Sequence, residues 1–292
     1  MTATASPLAV AGSSDASLAE YWRFHQAVAT AQLAAWLAPQ QELLVDISGP
    51  HARCAAQAAR SGHNVLRVAA GEAPTGPVLT GPALAGPALA GPVLTGPVLT
   101  GPVLTGSALA GSALTGPRRW PGPGGTLVTV AADPGNLRFL ADGCVDGVIA
   151  DDRTLSRYVA AEYLAAEIAR VLRPGGRLLA SVDSLVLGMA VLAEQRHWAE
   201  LTDVPSAEVL VVPWQDGTFT RCYGAQHLRD LCTEAGLKPS LIRPRTVLSP
   251  SMVTGWLHRD PNAIARLLRV EMATHADESF GIQLVVTARK PG

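Results

Sequence analysis

The segment EIARVLRPGGRLLASV, residues 167–182, constrains the fold more than any other part of this chain. Its first half belongs to a strongly helical segment, 158–172. Pro174 cannot continue that helix, and Gly175 and Gly176 can adopt the positive φ angles needed to turn at once into a strand. The apolar run 177–182 then predicts a buried strand. The segment therefore indicates a helix that is followed directly by a strand, as in α/β proteins.

Strand and helix patterns alternate along the rest of the chain, which is typical of a parallel sheet. The predicted strands are 42–47, 64–69, 126–131, 145–150, 177–182, 240–247 and 282–288. The predicted helices are 18–37, 52–60, 158–172, 227–235 and 263–272. We therefore predict an α/β fold with a doubly wound, mostly parallel, seven-stranded sheet, an N-terminal helix and a low-complexity insertion.

That insertion consists of eight near-identical pentapeptides, of forms such as GPVLT, GPALA and GSALT, which fill residues 76–115. The recurrent proline excludes a continuous helix, and the recurrent glycine raises the entropic cost of fixing the chain. A β-helix of five-residue coils is disfavoured, because proline usually occupies the position where that coil needs a small residue. We predict an extended, partly polyproline-like loop. Whether it is an inert insertion, a partner-binding segment or a lid stays open.

The repeat also sets the domain organisation. We predict a flexible leader at 1–17, the N-terminal helix and first part of one α/β domain at 18–73, a disordered insertion at 74–118, and the remainder of the domain at 119–292. On this hypothesis, deletion of residues 76–115 leaves a folded protein.

Composition narrows the class of partner. Hydrophobic residues make up 48% of the chain and the formal net charge is −1. This indicates a soluble globular protein and gives no electrostatic reason to expect a nucleic-acid or membrane partner. The sequence has no apolar run of transmembrane length and no pattern of a secretion signal at its start. The four cysteines lack metal-site spacing, so we expect reduced thiols, no metal and a cytoplasmic location. The composition is associated with bacterial proteins.

Several motifs resemble one known family. They are Asp133 after the third predicted strand, LRFLADG at 137–143, VDGV at 145–148, RVLRPGG at 170–176 and YGAQHLRDLCTEAGL at 223–237. Together they resemble the class I S-adenosylmethionine-dependent methyltransferase family over residues 20–290, apart from the repeat. The resemblance implies a Rossmann-like sheet, S-adenosyl-L-methionine as the cofactor and a small molecule as the substrate. It leaves open whether the protein is a homodimer.

The resemblance places the cofactor at the carboxyl ends of the first strands. The implied cofactor contacts are Asp46, Ser48, Gly49, Pro50, Asp133, Pro134 and Asp151. The family's three glycine positions after the first strand correspond to Ser48, Pro50 and Ala52, and proline cannot donate a hydrogen bond. The second strand ends at Ala69 without the acid that binds the ribose hydroxyls in the family. Asp133 matches the family's acid that binds the adenine amino group.

Each of these acidic residues also has a structural interpretation. Asp46 could cap the next helix, and Asp133, followed by Pro-Gly-Asn, could be an ordinary turn residue. Asp151 and Asp152 could cap the helix that follows them. Asp146, at the start of the fourth strand, is expected to be structural.

The family has no universal catalytic residue, because methyl transfer depends mainly on aligning the nucleophile with the methyl group. The candidate bases or substrate contacts are His25, His197, Tyr223 and His227. For each histidine, a surface or core role is the alternative. Trp198, Trp214 and Trp256 either line a substrate pocket or pack. Residues 184–219 follow the fifth strand and are the expected specificity region.

Two functional hypotheses follow. The first is an S-adenosylmethionine-dependent methyltransferase acting on an O, N or C atom of a small molecule. The second is a methyltransferase-like protein with weakened or lost cofactor binding that acts as a binding or regulatory partner. The degenerate glycine motif and the missing ribose acid give weight to this alternative, while the methyltransferase remains the preferred hypothesis. A nicotinamide-dependent oxidoreductase is disfavoured because no GxGxxG motif is present.

Overall fold

The computed structural model describes residues 15–49, 51–70, 78–79, 113–119, 125–204, 207, 209–214, 216–274 and 281–292. Within these residues the helices are α1 (Asp15–Trp36), α2 (Arg53–Arg60), α3 (Ala161–Val171), α4 (Leu185–Glu194), α5 (Trp198–Asp203), α6 (Ala225–Glu234), α7 (Pro250–Arg259) and α8 (Ile264–Ala273). The strands are β1 (Leu43–Asp46), β2 (Asn64–Ala69), β3 (Val78–Leu79), β4 (Ala113–Arg119), β5 (Thr126–Ala131), β6 (Val145–Ala150), β7 (Leu172–Ser184), β8 (Val209–Pro213), β9 (Phe219–Tyr223), β10 (Lys238–Pro244) and β11 (Gln283–Arg289). A short 3₁₀ helix, Thr154–Arg157, follows β6.

The described strands form one sheet. Nine of them follow the order β10-β11-β7-β6-β1-β2-β5-β4-β3, and β8 and β9 form a hairpin joined to β7 through β9. The central strands β7, β6, β1, β2 and β5 are parallel, and β11 is antiparallel to both of its neighbours. This confirms the predicted α/β class and mostly parallel sheet. All seven predicted strands are present, but the path has nine strands rather than seven.

The two additional strands on the path, β3 and β4, lie largely within the predicted repeat loop. β4 pairs antiparallel with β5, and β3 pairs with β4. An open edge of β5 would expose unpaired N–H and C=O groups, so pairing with nearby residues of the repeat is favourable. The pairing shifts register between Thr115 and Arg118, where Pro117 cannot donate a ladder hydrogen bond. The predicted loop state of residues 80–112 lies outside the described residues, as does most of the predicted leader.

The junction between α3 and β7 follows the prediction from the RPGG motif, with one correction. β7 begins directly after α3, but only Gly175 has a positive φ, of +77°. Gly176 is instead confined by a close approach, since a Cβ there would come 2.8 Å from the Arg173 carbonyl oxygen. The Gly175 N–H donates to the Lys290 carbonyl, and the Lys290 N–H donates to the Gly176 carbonyl, both at 2.9 Å. Asp146 pairs with Arg173 at 2.6 Å, which agrees with a structural role.

Helices cover both faces of the sheet, because neighbouring residues of a strand point to opposite sides. Val45 belongs to the core that also contains residues of α3 and α6. Leu44 belongs to the core formed with α1 and α2. Near its start, α1 packs on α7 and α8 through Phe24 and Val28, which are fully buried. Each such side chain contributes about 1.5–3 kcal/mol to stability. Within the described part of the chain, no helix is long and apolar enough to cross a membrane.

Candidate functional site

A cavity of about 750 Å³ lies at the carboxyl ends of β1, β6 and β7. Open parallel sheets bind their ligands at this edge. α1 covers one side of the cavity through Trp22 and His25, and the hairpin β8–β9 covers another through Trp214 and Phe219. The volume falls within the range of small-molecule sites, about 300–1,000 Å³.

A second cavity, of about 310 Å³, lies beside Trp36 and Arg177. The Arg177 guanidinium donates to the Trp36 carbonyl and to the Glu42 carboxylate, both at 2.6 Å. Because the Arg177 guanidinium already has partners within the protein and this cavity is less than half as large, it is a poorer candidate than the 750 Å³ cavity.

The loop after β1 carries the first group of predicted cofactor contacts. Asp46 is buried and its Oδ1 accepts from the Ser48 N–H at 2.9 Å. Ser48 Oγ accepts from the Asp151 N–H at 3.0 Å, which joins this loop to the loop after β6. Gly49 has a φ of +80°, a conformation that favours glycine. Burial raises the pKa of Asp46 to about 6, although the Ser48 hydrogen bonds act in the opposite direction. The N-cap residue of α2 is Ala52, which makes no side-chain cap hydrogen bond. The backbone N–H of Ala55, in the first turn of α2, acts on the Asp46 carboxylate and lowers its pKa, so Asp46 lies against the start of that helix.

The loop after β6 contains two consecutive non-glycine residues with positive φ, Asp152 at 57° and Arg153 at 61°. Such conformations cost about 1–3 kcal/mol each and are concentrated at functional sites. Tertiary contacts hold the turn: the Arg153 N–H donates to Ser181 Oγ at 3.1 Å, and Arg157 donates to the Asp152 carboxylate at 2.8 Å. The 3₁₀ helix has no side-chain cap, so neither Asp151 nor Asp152 caps it.

Asp151 forms a buried ion pair with Arg245, which follows β10; their side chains are 7% and 3% exposed. Arg245 also donates to Gln32 Oε1 at 2.8 Å, and Gln32 donates to the Arg245 carbonyl at 3.1 Å. Burial raises the pKa of Asp151, but the Arg245 charge and the hydrogen bonds from Ser181, the Asp152 N–H and Arg245 together outweigh it, so that pKa lies below its usual value. The pair therefore joins α1 to the loops after β6 and β10 along one wall of the cavity.

His25 of α1 lines the cavity and is 6% exposed. Neither ring nitrogen has a partner in hydrogen-bond geometry among the described residues. Burial and then the Arg245 charge lower its pKa to about 4, although Asp151 and the nearby Gln283 act in the opposite direction. The imidazole is thus neutral at pH 7. It presents one N–H donor and one acceptor nitrogen to a ligand.

Asp183, at the end of β7, lines the cavity and was missed by the sequence reasoning. Its Oδ2 accepts from Thr220 Oγ1 at 2.5 Å and lies 3.5 Å from Arg153 Nη1. Its Oδ1 has no partner in the described part of the chain. Burial raises the pKa of Asp183, although Arg153 and Thr220 act to lower it. The available signal was an acid directly after an apolar strand. Arg153 gave no comparable signal, because its position depends on the left-handed turn.

The second group of predicted cofactor contacts lies at the end of β5. Asp133 is exposed, and its Oδ1 accepts from the Gly135 N–H at 2.8 Å and from the Tyr158 hydroxyl at 3.2 Å. Asp133 therefore has the turn geometry that was its structural alternative. Arg157 lies beside Gly49, where a Cβ would come 2.6 Å from its Nη1. The segment that contains Arg157 and Tyr158 thus lies over both loops expected to hold the cofactor.

Three of the candidate bases lie away from the cavity. His197 is exposed and contacts Glu200 at 2.5 Å. Tyr223 is fully buried, and its hydroxyl donates to the Leu155 carbonyl at 3.3 Å. His227 stacks on Tyr223 with 5.7 Å between ring centroids. None of these three candidates is among the described residues that line the cavity.

The remaining cofactor candidates are divided between the cavity wall and other positions. Ser48 and Asp151 line the cavity. Pro134 is buried next to Asp133. Pro50 lies outside the described residues.

The expected specificity region, 184–219, forms α4, α5, β8 and the start of β9. It contributes Trp214 and Phe219 to the cavity wall, whereas Trp198 is 61% exposed. Trp256, on α7, is 53% exposed. Of the three candidate tryptophans, Trp214 is therefore the one that lines the cavity.

No protein-family model matches the sequence, and no curated protein matches it. Solved structures do match. One is a protein of Listeria monocytogenes assigned as an S-adenosylmethionine-dependent methyltransferase, 10% identical, with 91% of this chain and 99% of that chain covered and a TM-score of 0.52. Another is the 1,6-didemethyltoxoflavin-N1-methyltransferase of Burkholderia thailandensis, 17% identical, with 94% and 82% covered and a TM-score of 0.49. A third is an S-adenosylmethionine-dependent methyltransferase of Mesorhizobium loti, 14% identical, with 91% and 99% covered and a TM-score of 0.46. The likeness to the Listeria protein shows that this chain has the Rossmann-like methyltransferase fold that the motifs indicated.

Proposed function

We propose that this protein binds S-adenosyl-L-methionine and transfers its methyl group to a small molecule held in the 750 Å³ cavity. The observation that carries the proposal is the position of that cavity. It lies at the carboxyl ends of the central parallel strands, in a fold shared with a protein assigned as an S-adenosylmethionine-dependent methyltransferase.

Two features of the described residues fit this cofactor. A Cβ at Gly49 would come 2.6 Å from Arg157 Nη1, so the Arg157 guanidinium occupies the space beside this backbone, and a ligand can approach it closely once that side chain has moved. The exposed Asp133 carboxylate can accept a hydrogen bond from the adenine amino group. The end of β2, at Ala69, provides no acid for the ribose hydroxyls. Gly49, with Ser48, would contact the methionine part of the cofactor, and Asp133 the adenine.

Cofactor binding at Gly49 requires the Arg157 side chain to move. Arg157 and Asp152 are 36% and 32% exposed, so their ion pair is worth only about 0–1 kcal/mol. Displacement of Arg157 therefore costs this weak pair and one further hydrogen bond, to the Asp152 carbonyl at 2.6 Å.

When bound, the cofactor supplies a methyl group on a sulfonium centre. The protein's own residues hold the acceptor molecule. His25 and Asp183 offer hydrogen-bonding atoms that have no partner among the described residues, and Asp183 Oδ1 can take up a proton released by the acceptor. α1 and the hairpin β8–β9 cover the cavity and exclude water from the reacting atoms.

Calorimetric titration of the full chain with S-adenosyl-L-methionine tests this proposal. Binding is expected, and Asp133→Ala should weaken it. Asp230→Ala, which changes an exposed aspartate on α6, is the matched control and should leave the affinity unchanged. Absence of binding at millimolar cofactor would exclude the methyltransferase function. Unchanged affinity in Asp133→Ala would exclude the adenine contact.

A second candidate function is a methyltransferase-like binding protein that no longer uses the cofactor. It is favoured by the Arg157 and Tyr158 side chains, which lie over the loops after β1 and β5. This candidate predicts that the cavity binds a small molecule while the cofactor does not bind. The same titration, repeated with a cavity ligand, separates the two functions.

A further inference from the structure

Several buried polar atoms without a partner belong to residues that line the 750 Å³ cavity, while others lie elsewhere among the described residues, on Asp46, His63, Arg221, His227 and Arg243. Among the described residues, those at the cavity include Trp22 Nε1, both ring nitrogens of His25, Asp183 Oδ1 and Arg245 Nε, and all four residues line the cavity. Native proteins satisfy nearly all buried polar atoms, so a cluster of exceptions around one cavity requires an explanation. A ligand that supplies the missing partners is such an explanation.

The atoms specify which hydrogen-bonding groups that ligand carries. Asp183 is fully buried, which raises its pKa, whereas Arg153 and the Thr220 hydroxyl favour the ionised form, in which the free Oδ1 can only accept. A ligand must therefore present an N–H or O–H to Asp183. Trp22 Nε1 is a donor only, so the ligand must present an acceptor to Trp22. Neutral His25 has one donor and one acceptor nitrogen, so it can form a hydrogen bond with either a donor or an acceptor of the ligand.

The charges around the cavity argue against an anionic ligand. Three lining arginines each have an acidic partner, Arg153 with Asp183, Arg157 with Asp152 and Arg245 with Asp151, although Arg245 Nε itself has none among the described residues. Arg53, at the rim, donates to the Gln26 side chain at 2.5 Å. A phosphate or carboxylate would have to compete with these acceptors, whereas a neutral ligand leaves the pairs intact.

Aromatic side chains form the apolar part of the wall. Trp22 and His25 are in contact on α1, with 5.1 Å between ring centroids at an angle of 70°. Trp214 and Phe219 approach from the hairpin β8–β9. Flat aromatic surfaces of this kind bind planar molecules through their faces and edges.

We propose that the cavity binds a neutral, planar heteroaromatic molecule whose ring N–H or O–H donates to Asp183 Oδ1 and whose carbonyl or ring acceptor receives from Trp22 Nε1. The identification of this molecule as the methyl acceptor rests on the proposed function, and it names the substrate class of that site. Where the donor is an O–H, its oxygen is then the methylated atom, because the carboxylate takes up the proton and a second lone pair of the oxygen remains free for the methyl group.

The test uses two probes of the same shape. Quinolin-4(1H)-one carries a ring N–H opposite a carbonyl, and chromen-4-one replaces that N–H with oxygen and keeps the carbonyl. Calorimetric titration of the full chain without cofactor should detect quinolinone binding at submillimolar concentration. Chromenone should bind at least about tenfold more weakly, because it leaves Asp183 Oδ1 without a partner. Equal affinities, or no binding of either probe at millimolar concentration, would overturn the proposal.

Variants assign the selectivity to the named atoms. Asp183→Asn should remove most of the difference between the two probes. Trp22→Phe keeps an aromatic ring and removes only the indole N–H, so it should weaken both probes by about the same factor, roughly three- to tenfold. Trp198→Phe, at an exposed tryptophan outside the cavity, is the control and should change neither. Retained selectivity in folded Asp183→Asn would contradict the assignment. If circular dichroism shows that this variant does not fold, the wild-type selectivity and Trp22→Phe decide the outcome.

Failure of this ligand-site inference can be distinguished from failure of the proposed function. Probe selectivity without binding of S-adenosyl-L-methionine would retain the ligand site and exclude methyl transfer. Cofactor binding without probe selectivity would retain the methyltransferase function and exclude this substrate class.

Discussion

The two halves of the crevice differ in how their polar groups find partners. In the half expected to hold the cofactor, Asp133 accepts from Tyr158. Asp152 accepts from Arg157 where this half meets the cavity, which both residues also line. In the half formed by the cavity, atoms of His25 and Asp183 have no partner among the described residues. Asp46 Oδ2 also has none, but Asp46 does not line the cavity.

The difference has an energetic consequence. A ligand that binds in the cavity gains hydrogen bonds with groups that are otherwise unsatisfied, so little is lost in exchange. A cofactor that binds over the loops after β1 and β5 must first replace contacts that the protein makes with itself. The two halves therefore need not have comparable affinities for their ligands.

The largest expected effect on the free energy of unfolding comes from two neighbouring aspartates, Asp151 in a buried ion pair and Asp152 in a partly exposed one. Asp151→Ala leaves the Arg245 charge buried without its partner, so it should lower the free energy of unfolding by about 3–5 kcal/mol. Asp152→Ala removes a partly exposed pair with Arg157 and should cost about 0–1 kcal/mol. Urea denaturation of both variants measures the difference. Similar losses in the two variants would mean that the pairs do not differ in solvation.

The pH dependence of stability provides the second test, because His25 and Asp46 have opposite shifts. The pKa of His25 is lowered from 6.5 to about 4. As the pH falls through this window, the unfolded chain binds a proton before the folded protein does, so stability is lost. The pKa of Asp46 is raised from 3.8 to about 6. As the pH falls below 6, the folded protein binds a proton before the unfolded chain does, so stability is gained. Each effect amounts to about 3 kcal/mol.

Chemical denaturation between pH 7 and pH 4 measures these contributions against two non-titrating variants. Relative to His25→Gln, the wild type should lose stability as the pH falls. Relative to Asp46→Asn, it should gain stability over the same range. Two differences of the same sign would contradict the burial of one of these groups.

Much of the fold could be predicted from local sequence, whereas the cavity could not. The RPGG turn and the seven predicted strands depend on residues adjacent in the chain, and so they were predicted. The start of α7 also had a local signal, Ser249 as N-cap followed by Pro250, which the sequence reasoning did not use. Arg245 is different. It reaches Asp151, 94 residues earlier in the chain, and no spacing rule predicts such a pair.

The third test asks whether Arg157 is fixed over Gly49 or mobile. Gly49→Ala places a side chain at a φ of +80°, which costs about 1–2 kcal/mol. Gly236→Ala is the matched control, because Gly236 has a φ of +82° and no atom within 4 Å of the added Cβ. Since the Arg157 guanidinium can move away, we expect the two substitutions to cost nearly the same free energy of unfolding. A cost at Gly49 that exceeds the control by more than about 1 kcal/mol, and that disappears in Arg157→Ala, would show a fixed guanidinium.

The smallest expected effect concerns cofactor affinity in Arg157→Ala. The substitution empties the space beside Gly49 and removes an ion pair worth about 0–1 kcal/mol, so it should strengthen binding of S-adenosyl-L-methionine by up to about fivefold. Calorimetric titration of wild type and variant measures the change, with Arg269→Ala, at an exposed arginine of α8, as the control. Weaker binding in Arg157→Ala would mean that the guanidinium holds the cofactor rather than excludes it. In that case the two halves of the crevice would both use protein groups that reorganise around a ligand, and the contrast between them would be one of degree.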